Sequence, residues 1–344
     1  MAHLLIIRFS ALGDVAMTIP AVRSLAVQYP ELKITVLTRK SWEPLFSSGL
    51  PGNVSVTGAD LSGKHKTFKG LQALYKQLKA MDIDAIADFH GTLRSVYLSI
   101  RFRMAGIAVS TIDKGRSGKR KLVRKKHKKF KPQKSSFERY ADVLAKLGYP
   151  VELDFTSIYD EEKGDINEIV SITGEKNGAK WLGIAPFAKH AGKIYPIERQ
   201  EQVVAYFAAR KDVKVFLFGG GKKEQEIFDS WTAKYPTVSS MIGKLDMQKE
   251  LNLISHLDVM LSMDSANMHL ASLVNTRVVS VWGATHPYAG FMGWHQKESD
   301  AVQIDMSCRP CSVYGKKPCH RKDYACLYNI SPKQIIEKVE EALK

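Results

Sequence analysis

Asp14 follows Gly13 at the point where the apolar run His3–Phe9 gives way to a helical pattern. A carboxylate there can cap the helix and complement its dipole, or serve as a general base at the mouth of a cleft. Asp264-Ser265-Ala266-Asn267-Met268-His269 repeats the placement after the run Val259–Ser262. Helix N-termini present free amides, so Ser265, the amides near Ala266 and Asn267, and His269 suit a pyrophosphate. His90, Gly91 and Arg94 follow the run Ala85–Phe89, and Gly219-Gly220-Gly221 precedes Glu224. The four cysteines form Cys308-x2-Cys311-x7-Cys319-x6-Cys326, which suits tetrahedral zinc or packed free thiols, with disulfides a third reading. Walker and GxGxxG fingerprints are absent, and so is a DxD-type carboxylate pair beside a nucleotide site.

These groups need a scaffold of alternating strands and helices. The runs His3–Phe9, Lys33–Thr38, Asn53–Thr57 and Ala85–Phe89 read as strands, with helices over Val15–Gln28 and Leu71–Met81. The rhythm restarts with strands at Trp181–Pro186, Val213–Phe218, Val238–Ile242, Val259–Ser262 and Val278–Trp282. Helices are expected at Glu161–Ile172, Ile197–Arg210, Lys222–Lys234, Asp246–His256, Ala266–Val274 and Ser331–Lys344. This predicts an α/β chain of two facing Rossmann-like domains with parallel sheets. Their expected bounds are 1–165 and 166–330, with a terminal helix over 331–344. Ligands of such sheets bind at the carboxyl ends of the strands.

The chain has 344 residues, 44% hydrophobic and 25% charged, which excludes disordered, collagenous and disulfide-dense classes. No apolar run is long enough for a membrane span, so a cytoplasmic chain is expected. The net charge of +16 is concentrated: residues 114–134 hold twelve Lys and Arg and no acid, and without them the balance falls to +4. Such an arm seeks polyanions.

Gly13-Asp14, Thr18, Pro20 and Leu25 fill every fixed position of GDxxxTxPxxxxL, the opening motif of the family 9 glycosyltransferases, the bacterial heptosyltransferases of lipopolysaccharide core synthesis. The resemblance continues in order through Asp88–Ser95, Pro186–Pro196, Gly219–Glu224, Asp264–Ala271 and Trp282–Pro287, covering most of the chain. It implies a GT-B fold and an inverting transfer of heptose from ADP-heptose to a lipopolysaccharide inner-core acceptor. Asp14 would be the base and Lys193 the cation opposite the donor phosphates. Ser10, Gly13, Lys189, Glu224, Asp264, Ser265, Ala266 and His269 would contact the donor, Glu224 at the ribose and Asp264 at the sugar hydroxyls. His90 and Arg94 would face the anionic acceptor. Two departures stand out: Ala266 where the family carries glycine, and Ala188-Lys189 where hydroxyl residues are common.

Catalysis needs no cofactor on this reading. Lys125, Lys126, Lys128 and Lys129 of the arm are expected to be mobile and to dock the acceptor and the anionic inner-membrane surface, making the protein peripheral to that membrane. No nucleic-acid partner is expected, because Phe130 is the arm's only aromatic residue. Rival readings are a transferase with another nucleotide sugar, a nucleic-acid binder that uses the arm, and a dehydrogenase, which lacks its dinucleotide fingerprint.

Overall fold

The protein is described over residues 1–344 in a computed structural model. Two compact units emerge. One comprises residues 1–114 and 134–158, and the other residues 115–133 and 159–344. The division falls after Ile158 rather than after residue 165, and the basic arm counts with the second unit rather than the first.

The first unit is a five-stranded parallel sheet: β1 (His3–Ile7), β2 (Lys33–Arg39), β3 (Val54–Ala59), β4 (Ala85–Asp88) and β5 (Ala108–Thr111), in the order β3-β2-β1-β4-β5. Every residue of β1 and β4 is buried, as expected of parallel strands covered on both faces. The crossovers are α1 (Leu12–Ala16), α2 (Ile19–Gln28), α3 (Phe68–Lys79) and α4 (Leu93–Met104). The chain then passes through α5 (Arg116–Leu122), inside the segment that counts with the second unit, and returns as α6 (Ser136–Ala145). Leu5, Ile7, Phe9, Leu37, Leu74, Ile86, Leu98 and Phe102 form the core against α3 and α4.

The helix expected over Val15–Gln28 is two helices. Pro20 has no N–H to continue the ladder, and the Thr18 hydroxyl donates to the Val15 carbonyl at 2.7 Å, so the chain turns at Met17–Thr18 and restarts. The helix expected over Glu161–Ile172 is also absent as such. Only a 3₁₀ turn at Ile166–Glu168 and the short α7 (Val170–Thr173) form. Tertiary bonds hold that segment open. The Gly164 N–H donates to the Ser255 hydroxyl at 3.0 Å, and the Gly164 carbonyl lies 2.6 Å from His256 Nε2.

The second unit carries β6 (Lys180–Ala185), β7 (Val213–Leu217), β8 (Val238–Ser240), β9 (Val259–Met263), β10 (Val278–Val281) and β11 (Ala301–Val302), again all parallel, in the order β11-β10-β9-β6-β7-β8. Its helices are α8 (Ile197–Ala208), α9 (Lys222–Lys234), α10 (Met247–His256), α11 (Ala266–Leu273), α12 (Ala325–Tyr328) and α13 (Pro332–Leu343). The terminal helix behaves as its pattern predicts. Ser331 and Gln334 form a capping box, and Ile335, Val339 and Leu343 enter the core beside Val204, Phe207 and Val279.

The arm is folded against its own unit. The Lys128 ammonium donates to the carbonyls of Cys308, Arg309 and Pro310 at 3.0, 2.6 and 3.0 Å. The Phe130 ring lies 4.9 Å from His286 and 4.8 Å from Tyr288, and the Lys119 ammonium sits 4.0 Å over Phe291. The arm expected to be mobile is thus in contact with backbone carbonyls and aromatic faces, and the Lys128 ammonium is engaged there. Lys125, Lys126 and Lys129 remain exposed.

Arg309 ties the receiving loop together. Only 4% exposed, it donates through Nε to the Gly283 carbonyl at 2.6 Å and through Nη2 to Thr285 O and Gln303 Oε1 at 3.0 and 2.9 Å, with Nη1 on Ile304 O. Arg309→Ala removes these bonds and leaves buried carbonyls unpaired, so urea denaturation should show a loss of about 3 kcal/mol. Arg309→Lys should recover little of it, because a single ammonium cannot reproduce the planar fork.

Candidate functional site

In each sheet the strand order reverses beside the first strand, and the motif residues lie where the carboxyl ends open at that point. In the first unit the place is β1 beside β4. Asp14 sits in the first turn of α1, where its Oδ2 accepts from the Ala11 N–H at 3.0 Å. Its Oδ1 pairs with Arg8 Nη2 at 2.9 Å, and Arg8 Nη1 also donates to the Phe89 carbonyl at 2.6 Å. Asp14 thus caps the start of α1, and its carboxylate is oriented at both oxygens and stays about a third exposed.

Asp88 builds the neighbouring turn. Fully buried, its Oδ1 accepts from the N–H groups of His90 and Gly91 at 2.9 and 2.8 Å, and its Oδ2 from the Ser99 hydroxyl at 3.3 Å. Gly91 adopts φ +54°, the left-handed conformation that favours glycine. The turn brings His90 Nε2 to 3.5 Å from Ser10 Oγ, and the Thr92 hydroxyl to 3.1 Å from Nδ1. Burial pushes the His90 imidazole down to about 3, with Arg8 and Lys114 adding to the shift. His90 is therefore neutral near pH 7 and acts as a hydrogen-bonding group. Arg94 lies half-buried in the first turn of α4.

In the second unit the reversal is β6 beside β9. The Lys193 ammonium pairs with Asp264 Oδ2 at 2.8 Å, and the Thr285 hydroxyl donates to the same oxygen at 2.8 Å. Asp264 is buried, and Lys193 keeps partial exposure. Three glycines make this approach possible. A Cβ on Gly283 would lie 2.6 Å from the Gly192 carbonyl, and one on Gly192 would lie 2.9 Å from Ala284 Cβ. A Cβ on Gly315, whose φ is +71°, would lie 2.7 Å from Lys193 Cγ. The Ala284 N–H donates to the Gly192 carbonyl at 2.8 Å, locking the Lys193 turn to the loop after β10.

The other donor candidates of this unit lie on α11 and at the glycine turn before α9. Ser265 is the N-cap of α11, its hydroxyl 3.2 Å from that of Ser262, with Ala266 and Asn267 part-exposed on the first turn and His269 buried behind them. Burial pushes the His190 imidazole down, and the positive charges of Lys193, Lys189 and Lys316 push it further. That field suits an anion. Glu224 is engaged at the glycine turn, where its Oε2 accepts from the Gly220 N–H at 2.8 Å.

The cysteines are all free thiols and line one small cavity with Arg309, Arg321 and Tyr324. Burial and the neighbouring thiols push Cys311 up, and burial carries Cys326 up to about 11. No group of three or more His, Cys, Asp or Glu side chains is arranged to hold a metal ion. Sequence reasoning passed over Arg8, Thr285, Gly315 and Lys316. Thr285 lies inside a motif already singled out, and Arg8 ends the first strand. Nothing local marks Gly315 or Lys316, whose partners are distant in sequence.

Residues 71–321 match the family model for glycosyltransferase family 9 (heptosyltransferase). The chain is 26% identical over 174 residues to lipooligosaccharide heptosyltransferase 2 of Campylobacter jejuni, an alignment covering 49% of this chain and 53% of that protein; the chain thus spans about half of that relative's length. It is 27% identical over 288 residues to the lipopolysaccharide core heptosyltransferase OpsX of Haemophilus influenzae, covering 83% of this chain and 80% of that one. Among solved structures, the E. coli heptosyltransferase WaaC with ADP aligns with a TM-score of 0.68 at 17% identity, covering 99% of each chain. The common fold is GT-B.

Two buried imidazoles, His90 at the candidate site and His286 beneath the arm, should make stability fall in acid. His286, buried and held near Arg309, is pushed down to about 4. The unfolded chain takes up these protons near the ordinary value of 6.5, whereas the folded chain resists until about 3 for His90 and 4 for His286. Their contribution is complete above pH 6.5 and is lost as pH falls toward those values. Between pH 6 and 4.5 each should cost about 1 kcal/mol per pH unit. Replacing both by Asn should flatten the urea-midpoint profile over that window, and an unchanged slope would show that other groups set it.

Proposed function

This chain belongs to glycosyltransferase family 9, and on that premise we propose that it transfers a heptose from ADP-heptose to a lipopolysaccharide inner-core acceptor with inversion. The observation that carries the proposal is the pairing of chemistries at the two sheet reversals. One unit holds an oriented, part-exposed carboxylate. The other holds an ammonium and a helix N-terminus suited to a diphosphate. The relatives' names support the sugar and the acceptor, and the ADP of the E. coli structure supports the nucleotide.

Asp14 accepts the proton of the attacking acceptor hydroxyl as that oxygen bonds to the anomeric carbon and the bond to the diphosphate breaks on the opposite face. Arg8 and the Ala11 amide keep the carboxylate from rotating away. Negative charge grows on the departing diphosphate, where Lys193 and the amides opening α11 act. Asp264 and Thr285 hold Lys193 in place until a phosphate competes for its ammonium. The neutral His90 and the Arg94 guanidinium would bind the acceptor, and exposed Lys125, Lys126 and Lys129 would attract its anionic groups. Such an acceptor places the protein at the inner face of the inner membrane.

Asp14→Asn should lower kcat at least about a hundredfold while calorimetry shows ADP affinity within about twofold of wild type. Lys193→Ala should weaken ADP binding and turnover together. Asp14→Asn with unimpaired turnover would remove the base assignment. Stabilisation of the melt by UDP or GDP but not ADP would redirect the donor to another nucleotide sugar.

A further inference from the structure

Helix α4 presents to solvent a side that its amphipathic design should hide. Leu93, Ile100 and Met104 are 91%, 47% and 79% exposed, with Val96 at the margin beside them. At 100° per residue these four fall within a sector of about 80° along the whole helix. The buried side is separate: Ser95, Leu98, Ser99 and Phe102 face the sheet. Phe68, 69% exposed at the start of α3, extends the stripe through an edge contact of 4.9 Å with Tyr97. Scattered exposed apolar residues are ordinary, but five in one continuous strip are not.

The flanks identify the occupant. From Leu61 to Met81 and from Phe89 to Ile112 the sequence contains no acid. Those segments hold Lys64, Lys66, Lys69, Lys76 and Lys79, and Arg94, Arg101 and Arg103. Arg101 and Arg103 fall on opposite sides of the stripe, Arg101 stacked 4.8 Å over Tyr75 and Arg103 exposed. An apolar strip bordered by cations on both sides, without a carboxylate, is complementary to a lipid surface with anionic head groups. No helix of the protein is long and apolar enough to cross a membrane, so attachment through such a strip would be interfacial. Its upper end, Leu93, lies three residues after His90, so the strip begins beside the candidate acceptor residues of the same unit.

We propose that α4, with Phe68, is a membrane-docking face that seats the first unit on an anionic bilayer surface and so presents its site to a lipid-borne acceptor. The second clause rests on the transferase reading; the first stands on the surface alone. The test is co-sedimentation of the full chain with phosphatidylethanolamine vesicles containing about 30% phosphatidylglycerol, against phosphatidylcholine vesicles. Wild type should pellet with the anionic vesicles and be released as salt rises. Leu93→Ser/Ile100→Ser/Met104→Ser alters only exposed positions and should keep the melting temperature while weakening vesicle binding about tenfold or more. Lys69→Gln/Arg103→Gln should weaken it selectively at low salt. Transfer to a delipidated, soluble acceptor should be unchanged in the triple variant. If that reaction fails in wild type as well, the transferase reading falls and the docking result stands. Absence of vesicle binding by wild type would overturn the proposal, as would binding lost only in Lys125→Ser/Lys126→Ser/Lys129→Ser. A dimer in sedimentation velocity that the triple variant converts to monomer would assign the strip to a second copy of the chain instead.

Discussion

Parallel pairing governs this molecule. Each parallel strand must be reached by a crossover, so every strand of a sheet delivers its carboxyl end to the same edge, and every following helix begins there. Where the order reverses, two helices leave on opposite faces and a crevice opens. The protein uses this twice, at β1 beside β4 and at β6 beside β9. Asp14, His90, Lys193 and Asp264 all lie in the loops or first helical turns that follow those four strand ends. Their chemistry differs, but their positions follow from one constraint on hydrogen-bonded chains.

Position alone does not orient a side chain, and the two units solve that problem differently. Around Asp14 the work falls to polar contacts: an amide on one oxygen, a guanidinium on the other, and a buried Asp88 that shapes the adjoining turn. Around Lys193 it falls to the absence of side chains. Gly192, Gly283 and Gly315 allow three backbone segments to close on the lysine stem, and Asp264 then fixes its end. A long, flexible cation loses much entropy when held still, and close packing along its methylenes lowers the remaining cost of binding an anion.

Much of this was legible in the residues. The strand runs announced themselves because strands buried on both faces are almost wholly apolar, and the terminal helix did so through its cap and its stripe. The helix break at Met17–Thr18 was readable from Pro20 but masked by the apolar pattern on either side. A short element such as β5, four residues long, carries too few residues for a period to register. The largest difference concerns the arm. Its composition favours a mobile polycation, yet Lys128 and Phe130 find partners about 180 and 160 residues further along the chain, at Cys308–Pro310 and at His286 and Tyr288. Contacts so distant leave no trace in local charge density. Thr285 and Gly315 escaped for the same reason, since each matters only through what the fold lays against it.

The arm's attachment also bears on modularity. The chain passes between the two units at 114/115, again at 133/134, and finally at 158/159. A recombinant hybrid that joins the first 158 residues of this protein to the second half of a relative would carry α5, Lys128 and Phe130 away from the loop that receives them. Half-exchange at that single junction is therefore not neutral, although both sheets would be intact. A faithful exchange of specificity between relatives must move residues 115–133 with the C-terminal half, as one discontinuous part.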